Sequence, residues 1–101
     1  MATSFYIGLM SGTSLDGVDG VLANAESGGR LHVIAHALTP FAAPFRSELL
    51  RLNESGPDEL HRSALAGNAI SRHYAHVVHQ LLHTTGMSPE QVVAIGAHGQ
   101  T

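Results

Sequence analysis

The sequence has no cysteine, no tryptophan and no lysine in its 101 residues. The first absence excludes a disulfide framework and thiolate metal sites, and it fits a cytoplasmic protein. The missing lysine excludes a P-loop, which ends in Gly-Lys-Ser/Thr before a helix. Any phosphate bound here has to be held by backbone amides, hydroxyls and a carboxylate-held metal. Charge is scarce too. Only 13% of residues are charged, the formal net charge is -3, and the five Lys+Arg residues are all scattered arginines, which argues against a nucleic-acid surface. No apolar run approaches a membrane span, and Met1-Ala2-Thr3-Ser4 lacks the basic residues of a signal peptide. The expectation is a protein with neither nucleic acid nor membrane as partner. Apolar residues, by contrast, make up 44% of the chain, which is the composition of a globular protein. A chain of this length can form one small domain, burying somewhat over roughly 60% of its extended surface.

The most informative stretch is 5–23. An apolar run from Phe5 to Met10 reads as a buried strand, breaks into Ser11-Gly12-Thr13-Ser14 and Asp16-Gly17, and resumes as a second strand from Val18 to Ala23. Asp16-Gly17 alone would close a two-residue hairpin. The extra residues add successive N–H groups, close backbone approach and three hydroxyls, the groups that hold a polyanion such as a nucleotide triphosphate. The same residues also suit an ordinary polar loop. Asp16 is either a turn aspartate or a candidate metal contact. Asp19 is either a solvent-facing strand residue or a second carboxylate of the site.

Further along, Gly28-Gly29 marks a turn, and alternation over 31–38 predicts a third strand. Leu31, Val33, Ala35 and Ala37 then share one face, with His32, Ile34, His36 and Leu38 on the other. Residues 39–45, with Pro40 and Pro44, read as a loop. A short helix is predicted over about 45–52, and a long one over about 58–84, begun by Asp58 and stopped by Gly86. The long helix carries five of the eight histidines. Its apolar face runs through Leu60, Ala64, Ile70, Tyr74, Val77, Val78, Leu81 and Leu82. His79 and His83 have the spacing of a zinc helix but lack a third ligand or an intervening glutamate, so a solvated polar face is the simpler account. Ser88-Pro89-Glu90-Gln91 is a helix start, with Gln91 at the capping-box position, and 92–97 is a last buried strand. Strand, strand, strand, helix, helix, strand describes an antiparallel meander and a helical crossover to a further strand, hence an α/β chain with a mixed sheet.

Two stretches carry a resemblance to a known family. Ile7-Gly8-Leu9-Met10-Ser11-Gly12-Thr13-Ser14-Leu15-Asp16-Gly17-Val18-Asp19 resembles the N-terminal signature of the anhydro-N-acetylmuramic acid kinases. Val93-Ala94-Ile95-Gly96-Ala97-His98-Gly99-Gln100-Thr101 is similar to that family's second local motif. The resemblance implies an actin-like ATPase lobe of the ribonuclease H-like type, of which residues 1–101 are the first part, with the rest of that lobe and a second lobe absent. It implies ATP and Mg²⁺ as cofactors. ATP would contact Ser11, Gly12, Thr13, Ser14, Leu15, Asp16, Gly17, Val18 and Asp19, with Asp16 as one option for the metal. His98 and Gln100 would lie beside the sugar; the alternative for His98 is a plain strand-to-loop turn. The wider superfamily carries Asp two residues before its Gly-Thr/Ser pair, where this chain has Met10, a departure the kinase subgroup shares.

The reaction so implied takes ATP and water to 1,6-anhydro-N-acetylmuramic acid and gives N-acetylmuramic acid 6-phosphate, in recycling of cell-wall sugars in the cytoplasm. The general base would be an aspartate beyond position 101, so the 101 residues alone would be inactive. A homodimer stays open for the complete enzyme. The competing readings are a kinase for another sugar, an inert phosphate-binding module of the same fold and, last, a histidine metal binder.

Overall fold

Ile7 and Leu9 alternate with Gly8 and Met10, and this period of two forms β1 (Ser4–Met10). The computed structural model describes residues 4–11, 15–26 and 28–98. β2 (Gly17–Ala25) pairs antiparallel with β1, and β3 (Leu31–Pro40) pairs antiparallel with β2 after a turn in which Gly28 and Gly29 adopt φ of 102° and 83°. Two helices follow, α1 (Ala43–Arg51) and α2 (Glu59–Thr85). A short 3-10 turn, Pro89–Gln91, then leads into β4 (Val92–His98), which lies parallel to β1. Among the described residues the sheet order is β3-β2-β1-β4, a mixed α/β arrangement.

One face of this sheet is covered by α2. Ile7 and Leu9 of β1, Val18 and Leu22 of β2, and Ala37 of β3 pack against Val77, Leu81 and Leu82 of the helix. Val18, Leu22 and Val77 are fully buried, and each contributes on the order of 1.5–3 kcal/mol. Gly20 lets the helix approach: a Cβ there would run into Val77 Cγ1 and lie 3.1 Å from Leu9 Cδ2. At the end of α2, Gly86 has φ of 70°, and the Gly86 and Met87 amides donate to the carbonyls of His83 and Leu82. At the 3-10 turn, the Ser88 amide donates to Gln91 Oε1 at 2.9 Å.

α1 and α2 are joined by a charge pair. Arg62 Nε donates to Glu48 Oε1 at 2.9 Å, and Arg62 Nη2 bonds the same oxygen. The hydrogen bond from Arg62 holds the Glu48 carboxyl below its ordinary range. Glu90 is held low as well, by its own backbone N–H and then by the Ser88 hydroxyl.

Four details differ from the sequence expectations. β4, expected as a buried strand, exposes Val93 (62%) and Ile95 (52%), because among the described residues it lies at the sheet edge, away from β2 and β3, against which α2 packs. The β2–β3 register slips between Leu22 and Ala23, so that Ala35 opposes Leu22 and Val33 opposes Ala23. The bulge at Ile34 turns Leu31 and Val33 to the open face, where they are 68% and 66% exposed, and puts His32 and His36 on opposite faces. Asp58 does not cap α2: it adopts φ of 53° and makes no side-chain cap bond. Leu60, expected on the apolar face, is 86% exposed, because the helical period gives a direction around the axis but not what lies beside each turn.

Candidate functional site

β1 and β4 are parallel neighbours, so their C-terminal ends lie at one edge of the sheet. The register aligns Met10 with His98, and on the other side of β1 it aligns Met10 with Asp19. Two stretches separated by more than eighty residues of sequence therefore finish side by side, at the edge where ligands bind in α/β sheets. Gly12, Thr13, Ser14 and Gln100, the candidates for phosphate and sugar contact, lie outside the described residues.

Ser11 follows β1 directly and is 3% exposed. Its Oγ lies 3.1 Å from Tyr74 Oη, which in turn donates to the His98 carbonyl at 2.6 Å. A phenol carries a single proton, so Ser11 is the donor in the first of these bonds. The Ser11 hydroxyl thus points inward at α2. Tyr74 was legible in the sequence only as one member of the apolar helix face; no pattern in the chain marks its hydroxyl.

Leu15 has φ of 56°, the left-handed region that a branched residue enters only under constraint, yet its side chain is 4% exposed and sits in the core. It ties the backbone just before β2 to the core. Asp16 sits at the surface: its carboxylate lies 3.2 Å from Arg46 Nε, and its carbonyl accepts from the Phe41 amide at 2.8 Å. A Cβ at Gly17 would collide with the Thr39 carbonyl, so glycine is needed where β2 starts against β3. Val18 is fully buried. Leu15, Gly17 and Val18 therefore give their side-chain positions to packing, and only their backbone can face a ligand.

Asp19 lies on the open face, where its carboxylate accepts from His36 Nε2 at 3.0 Å. Asp19, His36 and His98 share the wall of a shallow depression of about 690 Å³ on that face, floored by Gly8, Met10 and Gly96. A second cleft, about 410 Å³, opens between α1 and α2 and is lined by Leu15, Leu49, Asn53, Ser63, Gly67 and Tyr74 among others. Among the described residues no group of three or more His, Cys, Asp or Glu side chains could hold a metal ion. The helix histidines accordingly form no such cluster. Among the described residues no helix is long and apolar enough to cross a membrane.

The four-stranded mixed sheet with both helices, ending its paired strands at one edge, defines a class of α/β protein compatible with a kinase lobe. The family is narrower than the class. The family model described as anhydro-N-acetylmuramic acid kinase matches residues 4–101, and the chain belongs to that family. It is similar to the anhydro-N-acetylmuramic acid kinase of Variovorax paradoxus, with 57% identity over 101 residues, which are 100% of this chain and 27% of that protein. It is also similar to the proteins of the same name from Albidiferax ferrireducens and Bordetella pertussis. The first is 57% identical over 98% of this chain and 25% of that protein, the second 54% identical over 95% and 25%. The chain spans about a quarter of the length of the curated relatives it matches.

Proposed function

We propose that this chain is the N-terminal segment of an ATP-dependent kinase for 1,6-anhydro-N-acetylmuramic acid, built on an actin-like ATPase lobe. In the reaction, water adds at the anhydro carbon, the bridge from that carbon to O6 breaks, and O6 takes the γ-phosphoryl group. The products are N-acetylmuramic acid 6-phosphate and ADP, a step in recycling cell-wall sugar. The observation that supports this reading is the Met10–His98 register, which sets the end of β1 beside the end of β4. The names of the relatives support the substrate.

Bound ATP with Mg²⁺ supplies the phosphoryl group and disperses charge on its oxygens. The donor set suits that metal: Asp16 and Asp19 are exposed carboxylates, paired at one oxygen with Arg46 and His36 respectively, and Mg²⁺ binds through one or two carboxylates with water and phosphate oxygens completing the shell. In this reading Gly12, Thr13 and Ser14 offer amides and hydroxyls to the phosphates, Leu15 fixes the loop to the core, and His98 and Gln100 orient the sugar. Arg46 holds the Asp16 carboxylate at the loop exit. The base that activates water lies outside these residues, so the 101-residue chain alone is expected to turn over no substrate.

The test supplies the full-length protein containing these residues with ATP, Mg²⁺ and either the anhydro sugar or N-acetylmuramic acid. ADP release and a phosphosugar with the anhydro sugar alone support the assignment. Equal rates with both would replace it with a kinase of broader sugar choice.

A further inference from the structure

Tyr74 projects from the middle of α2 to the point where β1 and β4 end together. Its hydroxyl is the middle of a directed chain, from the Ser11 hydroxyl to Tyr74 to the His98 carbonyl. Ser11 is the residue from which the hydroxyl-rich loop departs, and His98 is the last residue of β4. The carbonyl at the end of β4 and the nearly fully buried Ser11 hydroxyl both call for hydrogen-bond partners. One phenol meets both needs, and in doing so it ties two strand ends to one helix.

We infer that Tyr74 is a positioning residue, which sets the separation between the phosphate-side loop and the sugar-side loop by bonding the first residue of one and the last strand residue before the other. It acts through Ser11 and His98 and not on a substrate. The inference rests on the kinase reading for its effect on turnover, but the tether itself is independent of the substrate's identity. Ser11, on this account, is committed to α2 through its proton, and phosphate contact falls to the residues after it.

The test is Tyr74→Phe in the full-length protein, which keeps the ring and removes only the hydroxyl. Three readouts are taken: steady-state kinetics with ATP, Mg²⁺ and the anhydro sugar, thermal unfolding, and amide hydrogen exchange at 10–11 and 96–98. With the two loops misplaced, kcat and kcat/KM fall together by between about ten- and a hundredfold, with KM for each substrate nearly unchanged. Ser11→Ala gives the same signature, and the double variant loses little beyond either single one, because both act through one chain of bonds. A merely structural hydroxyl would lower the melting temperature and leave the kinetics of the folded enzyme intact, and that result would overturn the inference. If wild-type protein is inactive with the anhydro sugar, the substrate assignment has failed and exchange decides the tether. Faster exchange in Tyr74→Phe at both segments supports it; unchanged exchange at either overturns it.

Discussion

Leu15 carries two burdens, an unfavourable backbone angle and a fully used side chain. With φ of 56° and 4% exposure, it stays in the left-handed region because its isobutyl group is locked among the core residues. Leu15→Ala should therefore destabilise the fold by about 2–4 kcal/mol, as cavity-forming leucine truncations do, and, on the proposed kinase reading, should raise KM for ATP in the full-length protein. Chemical denaturation and an ATP titration check the two parts. None of this was legible in the sequence, where a single leucine among serine, threonine and glycine has no period to assign it to a face. Tyr74 was half legible for the same reason: helical periodicity placed its ring on the covered side but says nothing about where a terminal hydroxyl reaches.

At the scale of elements, the contact of α2 with the sheet depends on what its partners leave out. Gly20→Ala would put a methyl group against Val77 Cγ1, 3.1 Å from Leu9 Cδ2 and 3.2 Å from Leu81 Cδ1. Overpacking of this kind costs about 1–3 kcal/mol. At Gly67, inside the same helix, a Cβ meets nothing within 4 Å, so Gly67→Ala should stabilise by about 0.5–1 kcal/mol through helix propensity alone. Denaturation midpoints moving in opposite directions would confirm the pair; a gain at both would show that α2 sits farther from β2. The link between α1 and α2 adds a pH dependence. Glu48 titrates below its ordinary 4.5 because Arg62 hydrogen-bonds its ionised form. A carboxyl lowered in the folded state contributes stability above its unfolded value and loses it as pH falls through the folded one. The melting-temperature advantage of wild type over Arg62→Met should thus be present at neutral pH and fade below 4.5. The order of elements was readable from periodicity and turn residues. The bulge at Ile34 was not, since a strand that slips by one residue keeps its alternation in sequence while exchanging its faces in space.

As a whole molecule, the chain is extended, with a radius of gyration of 15.6 Å, where about 13 Å is usual for a compact domain of this length. The helices cover one face of the sheet, and Met10, Leu31, Val33 and Leu38 lie exposed on the other. The chain spans about a quarter of the length of the curated relatives it matches. The site was legible in the sequence to the same extent. The two motifs could be read at the ends of two strands, but the adjacency of those strands appeared only in the parallel register of β1 with β4. The central claim is that these residues belong to a kinase that opens its sugar with water as it phosphorylates it. The most direct measurement is mass spectrometry of the product formed by the full-length protein from ATP, Mg²⁺ and the anhydro sugar in ¹⁸O-water. A phosphosugar carrying one heavy oxygen in the sugar and none in the phosphoryl group is the predicted result. A phosphosugar with no heavy oxygen, or labelled inorganic phosphate with the sugar untouched, would contradict it.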